Sequence, residues 1–249
     1  MASPVQKVFQ SAYRVFSRVT VGSSGFNDHL REVIVLASKL TATDVNFSFH
    51  DDPTTQREVE EGDRAPAVYV HLWEDRVLSM GIFVVRQGCR IPLHNHPNMH
   101  GVCKVIQGTV RVNSFSTVSS VGLEMPKNIK QDLKSSVLSL LKQEQSQFTT
   151  ASRHQSVTLT TDDPACVLSP SVGNIHEMIS VDGPAAFIDI LAPPYDHTTG
   201  ERICQYYMDC SEDTPTSSDN QVHWLRRIPA PHSFWCDSME YNGPPLKIP

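Results

Sequence analysis

The chain has 249 residues, 39% of them hydrophobic and 19% charged, enough to bury a substantial core without disulfide staples. The 21 Lys and Arg against 27 Asp and Glu leave a net charge of −6; no basic surface is offered to a phosphate backbone, and nucleic acid is not an expected partner. Six scattered cysteines without a CxxC pair point to reduced thiols and a cytoplasmic location, and no apolar run approaches the roughly 20 residues that cross a membrane.

In chain order, residues 1–26 carry Lys7, Arg14 and Arg18 ahead of the first acid, Asp28. They read as either an amphipathic helix or a mobile terminus, with only a faint likeness to a transit peptide. Residues 27–40 set Leu30, Val33, Leu36 and Leu40 at helical spacing behind Asn27, an expected N-cap. The polar stretch 47–66 reads as a linker or surface loop. From 67 the period changes, and residues 68–75 and 77–85 are rich in branched and aromatic side chains that suit strands. Residues 102–115 look like two strands joined at Gln107–Gly108, with further strands expected at 156–161, 166–170, 177–181, 185–191 and 202–209. Residues 116–153 interrupt this rhythm as an insertion, helical over 129–143, where Leu133, Val137, Leu140 and Leu141 share a face. Many short strands and few helices predict an all-β sandwich or small barrel, one domain over 27–249.

The densest polar constellation is PLHNHPNMH, 92–100. Side chains at i and i+2 of a strand face one side, so His94 and His96 project together and can converge on one ion. His100, past a proline, cannot be placed on that face. An HxH pair alone divides evenly between a ligand pair and ordinary histidines. Gly88 six residues before His94, and Gly108 beyond the next strand, give an array that resembles the first motif of the cupins, a double-sheet jelly-roll class. SPSVGNIHEM, 169–178, is similar to the second cupin motif and implies His176 as a third ligand. The glutamate that many cupins add five residues after the second histidine is replaced by Gly101, and Ser180 stands where an asparagine often ends the second motif. The implied centre is His94, His96 and His176 without a carboxylate. Three neutral imidazoles leave a divalent charge uncompensated and suit an anionic co-ligand such as a thiolate.

LHNHPNMHG, KVIQGTVRV, HEM, GPAAFIDILAPPYD and CQYY, taken together, resemble the thiol dioxygenase branch of the cupins, which includes the plant cysteine oxidases. The likeness runs from about residue 30 to the C-terminus and omits most of 116–153. It implies one iron(II) per chain on the three histidines, with both atoms of O2 added to a thiol to give a sulfinic acid. Substrates implied are cysteamine and proteins or peptides with an N-terminal cysteine, the latter an oxygen-sensing step of the hypoxia response that marks proteins for degradation. A cytoplasmic monomer is expected.

The resemblance also makes Asp189 and Tyr195 site residues. Alternation places Ala185, Phe187, Asp189 and Leu191 on one mostly apolar face, so Asp189 is either a buried partner for a ligand histidine or half of a structural salt bridge. Tyr195 either joins the site or caps the barrel mouth. Cys204 and Tyr206 stand at i and i+2 of an expected strand; in this family a cysteine–tyrosine thioether can form, and the other reading is an ordinary buried cysteine beside a core tyrosine. The alternative function is a metal-bearing cupin that binds without turnover. No GxGxxG, phosphate loop, GxSxG or HExxH motif is present.

Overall fold

The computed structural model describes residues 2–18, 25–49, 64–126, 129, 147–211 and 222–249. Among the described residues two helices, α1 (Pro4–Arg18) and α2 (Phe26–Ala37), and a 3-10 turn at Ala42–Val45 precede eleven strands. These are β1 (Ala67–Glu74), β2 (Ser79–Val85), β3 (Arg90–Asn95), β4 (His100–Thr117), β5 (Phe148–Arg153), β6 (Val157–Leu159), β7 (Cys166–Leu168), β8 (Ile175–Ala192), β9 (Tyr206–Asp209), β10 (Val222–Ile228) and β11 (Cys236–Met239). Among the described residues no helix is long and apolar enough to cross a membrane.

Six strands close into a barrel, because β8 pairs with β3, β3 with β9, β9 with β10, β10 with β5, β5 with β4, and β4 again with β8. Closure removes the unpaired strand edges within the ring. β4 and β8, each of 18 residues, run antiparallel along nearly their whole length and serve two layers. The first half of β8 pairs with β3; its second half pairs with β2, which continues to β1 and the parallel strand β11. The structure is a cupin barrel.

The sequence reading divided both long strands in two, at Gln107–Gly108 and at 182–184. Each is one continuous strand with a bulge. Register shifts flank Gln107, and Asp182 and Gly183 take φ of 58° and 141°, so the ladder bends without ending. Gly108 is required at the bend: its φ is +74°, and a Cβ there would lie 2.3 Å from the Pro184 carbonyl oxygen. RICQYYMD is shorter as a strand than expected, since β9 begins only at Tyr206. The helix expected over 129–143 falls, apart from Ile129, outside the described residues.

Helix α2 starts one residue before its expected cap. Phe26 is buried against Phe16 and His100, which draws the first turn back to it; the cap position is Gly25, with no side-chain cap bond, and Leu40 lies beyond the helix end yet is buried. Residues 4–18 form α1, an amphipathic helix whose Val5, Val8, Phe9, Ala12 and Val15 are buried. Phe9 packs on Trp73 with ring centroids 5.0 Å apart. Gln6 ties α1 to the C-terminal segment, donating to the Lys247 carbonyl and accepting from its N–H. This layer covers the outer face of β1 and β2, while the inner faces of β3, β4 and β8 remain for the site.

Candidate metal centre

Strand pairing builds the histidine cluster. His94 on β3 stands directly opposite His176 on β8, and opposed residues project to one face. His96, one residue past β3, is carried to the same point. Ring centroids lie 4.7 Å (His94–His96), 4.9 Å (His94–His176) and 4.8 Å (His96–His176) apart, an almost equilateral triangle. One nitrogen of each lies within 4.8 Å of those of the others. Gly88, whose φ is +72°, makes the turn that launches β3.

Backbone acceptors orient two of the rings. His94 Nδ1 donates to the Pro92 carbonyl at 2.8 Å and His96 Nδ1 to the Asn174 carbonyl at 3.1 Å. That tautomer leaves Nε2 of each as a lone-pair donor. Asn174 grips the rest of His96: its Oδ1 accepts from the His96 N–H at 3.1 Å, and its Nδ2 donates to the His96 carbonyl at 2.7 Å and the Ser169 carbonyl at 3.0 Å. Burial pushes His94 down to about 4 and His96 to about 3, and holds His176 well below its ordinary value. All three are neutral ligands near pH 7. Oriented, neutral, converging imidazoles fit a divalent transition metal.

Gly101, where many cupins place a glutamate, explains the missing carboxylate sterically. A Cβ there would lie 2.8 Å from Leu168 Cγ, so the position is closed by packing. His100 turns away and packs against Phe16 and Phe26.

The histidines form one end of a cavity of about 260 Å3. Asp189, Tyr195, Cys204 and Tyr206, all expected at the site, share its lining with Cys103, His197, Phe234 and Cys236. Burial raises Asp189 to about 7, against the opposing pull of the Ile190 N–H. Asp189 is not the acceptor for His94 or His96, whose ring N–H groups go to backbone carbonyls. Tyr195 donates from its hydroxyl to the Asn95 carbonyl at 2.7 Å, which directs its ring against His96, 5.6 Å between centroids.

Cys204 does not share a strand with Tyr206, since it precedes β9. It reaches the cavity because Asn95 zips residue 205 to β3: the Asn95 N–H donates to the Gln205 carbonyl at 3.1 Å, and Asn95 Oδ1 accepts from the Gln205 N–H at 2.9 Å. The Cys204 thiol then lines the cavity beside Tyr195 and Tyr206; burial raises its pKa, and the two hydroxyls oppose that rise. Burial raises both phenols, Tyr206 to about 12, so both stay neutral. Sequence reasoning missed Asn174 and His197. Asn174 lies inside the GNIHEM string, where its clamp on His96 has no periodic signature, and His197 lies on a loop beyond β8.

A closed cupin barrel with three histidines converging on one cavity is an arrangement compatible with a bound metal. The chain belongs to the PCO_ADO family, whose model matches residues 36–246. It is similar to the 2-aminoethanethiol dioxygenase of Mus musculus, 31% identical over 98% of this chain and 96% of that protein. It is also 31% identical to the Homo sapiens protein of that name, over 88% of this chain and 82% of that one. Plant cysteine oxidase 1 of Arabidopsis thaliana is 26% identical over 88% of this chain and 68% of its own.

Proposed function

We propose that this protein is a thiol dioxygenase that holds one iron(II) on His94, His96 and His176 and converts an aminothiol to its sulfinic acid. The observation that carries the reading is the oriented triangle of neutral histidines facing a cavity with one carboxyl. Iron(II) supplies the one-electron chemistry that lets a thiolate react with O2. The rest falls to the chain.

Among the described residues, Asp189 is the one carboxyl of the lining and neither Lys nor Arg contributes to it. Arg86 is turned to the Ala65 carbonyl and Asp237, and Arg90 to Glu177. The cavity therefore suits a substrate with an ammonium group and disfavours one with a carboxylate beside the thiol, which an arginine would have to clamp. Cysteamine and an N-terminal cysteine within a peptide both meet that condition; free cysteine does not. The small volume and the apolar walls of Phe83, Ile91, Met178, Phe187 and Leu191 exclude bulk water and hold thiol and O2 side by side. Asp189, poised near neutrality, accepts the thiol proton. Tyr206 remains protonated and donates a hydrogen bond toward the reacting groups, while Tyr195, whose hydroxyl proton goes to the Asn95 carbonyl, stays neutral and shapes the cavity. All six cysteines are free, as suits the cytoplasm, and the enzyme acts there as a monomer, with proteins bearing N-terminal cysteine as oxygen-sensing substrates.

The test is anaerobic iron loading, addition of O2, and mass spectrometry of cysteamine, free cysteine and an N-terminal-cysteine peptide. Cysteamine or the peptide should gain two oxygen atoms, with free cysteine the poorest substrate. Bound metal with no oxygen uptake by any thiol would overturn the reading.

A further inference from the structure

Two thiols of the barrel have no part in the chemistry above. Cys103 on β4 stands directly opposite Cys166 on β7, and on its other side directly opposite Asp189 on β8. Opposed residues share a face, so three adjacent strands set Cys166, Cys103 and Asp189 in one row. The row ends at the metal cavity, which Cys103 and Asp189 both line. Opposed Cα atoms in an antiparallel pair lie roughly 4.5–5.5 Å apart, inside the roughly 4.4–6.8 Å that a disulfide bridges. The two thiols interact electrostatically, each shifting the other. Both cysteines are free, and Cys166 is only half-buried.

The surroundings permit adjustment on one side and not the other. Among the described residues β7 is three residues long and pairs with β4 alone. β4 is locked between strands, and Lys104, next to Cys103, is buried with its Nζ donating to the Thr161 and Asp163 carbonyls at 2.7 and 2.6 Å. Those bonds hold the turn that delivers Cys166 to β4. A short edge strand can shift by the fraction of an ångström that a bond requires.

We propose that Cys103 and Cys166 are a redox-active dithiol, a modification site that a small disulfide entering the metal cavity converts to a cross-strand disulfide. One cysteine, as thiolate, attacks a sulfur of the small disulfide RSSR, forming a mixed disulfide and expelling RS−. The other, also as thiolate, attacks the protein-side sulfur of that mixed bond and expels the second RS−. The two expelled thiolates take up the two protons that the cysteines lost. The dithiol gives up two electrons, the small disulfide accepts them, and an excess of small thiol reverses the sequence. On the functional reading above, the substrate thiol is the reduced partner of that small disulfide, so abundant substrate keeps the pair open and oxidised substrate closes it. Closure ties β7 to β4 and so anchors the segment leading to Asn174, the residue that grips His96.

The experiment uses the full iron-loaded chain under nitrogen, so that neither dioxygenation nor thioether formation occurs. Protein is equilibrated with cystamine and cysteamine in graded ratios, denatured in N-ethylmaleimide, digested and analysed by mass spectrometry. The expected result is a Cys103–Cys166 linked peptide whose fraction rises with the cystamine share and vanishes after a strong reductant. In Cys166→Ser, Cys103 should instead accumulate as a cysteamine adduct. Maleimide on both Cys103 and Cys166 at a ratio that has already converted the exposed Cys236 to an adduct would overturn the proposal. The readout needs no turnover, so a protein that failed to oxidise cysteamine could still form the link, and one that oxidised it could fail to.

Discussion

The two walls of the cavity are built by different means. The histidine wall rests on strand register and backbone acceptors: His94 faces His176 across β3 and β8, and the Pro92 and Asn174 carbonyls aim two rings. The adjoining wall of Tyr195, Cys204 and Tyr206 rests on a loop and the start of β9, held by Asn95 through Tyr195 and Gln205. Ladder hydrogen bonds are shared over many residues, whereas a loop held by a few bonds opens at lower cost. The first wall is thus suited to fixing a metal and the second to admitting and shaping a substrate. Changes on the histidine wall should remove the centre; changes on the other should tune it.

The largest effect is expected from the ligands. His176→Ala should lower bound metal to the limit of detection and abolish turnover while leaving a folded barrel, read by elemental analysis beside the circular dichroism melt. Full metal occupancy in that variant would break the contrast between the walls. Next is Asn174→Ala. It removes the side-chain grip on His96 but no ligand, and losses of about 10–100-fold in metal affinity are typical when a group orienting a ligand is removed. Titration of metal-free protein with the metal checks this, and an unchanged affinity would show that the backbone alone orients His96.

The difference between the walls is also a difference in what could be read before the structure. Two histidines at i and i+2 face one side of a strand, but for His94 and His96 that spacing alone left ordinary histidines equally open, and it was the surrounding cupin-like motif that favoured a ligand pair. His176 became legible through its motif, and Gly101 announced the missing carboxylate, though the clash with Leu168 that enforces it could not be read. The barrel class followed from many short strands. Its two longest strands were misdivided because Gly108 and Asp182–Gly183 have the composition of turns, and composition does not distinguish a turn from a bulge across which pairing continues. Cys204 came out near Tyr206 for a reason other than the one the sequence suggested. Strand periodicity proposed a shared face, yet Cys204 is off the strand and is positioned by Asn95, more than a hundred residues away in the chain, which leaves no local pattern.

Asp189 belongs to neither wall, and its expected effect is on stability against pH. Burial raises its folded pKa to about 7, above the roughly 3.9 of an unfolded chain. A group raised in this way contributes stability that is fully present below the unfolded value and is lost as pH rises through the folded one. In metal-free protein this carboxyl should therefore withdraw stability between about pH 4 and 7, opposing the gain that the depressed His94, His96 and His176 give as pH rises, and Asp189→Asn should make the net profile rise more steeply there. Urea unfolding across the window measures it. The same slope in the variant would assign the pH dependence elsewhere.

The smallest effect is expected at Cys204. Its thiol shares the cavity lining with Tyr206 and Tyr195, and on exposure to iron and O2 a bond can form from sulfur to the Tyr206 ring. That bond costs the thiol hydrogen and one ring hydrogen, with O2 as the electron acceptor. The protein's intact mass should then fall by two hydrogens, and reductant should not restore it, which separates a thioether from any disulfide. Cys204→Ala should abolish the mass change but reduce cysteamine turnover only a few-fold, because the histidine triangle does not depend on residue 204 and Tyr206 stays opposite His94 in the β3–β9 pair. Tyr206→Phe tests the same wall from the other side: it keeps the ring that packs 6.3 Å from His94 and removes the hydroxyl. If Cys204→Ala lost its metal as His176→Ala should, the two walls would not be separable and the cavity would act as one unit. If both variants kept metal and lost a few-fold in turnover, the histidine wall would be shown to stand independently of the wall that Cys204 and Tyr206 build.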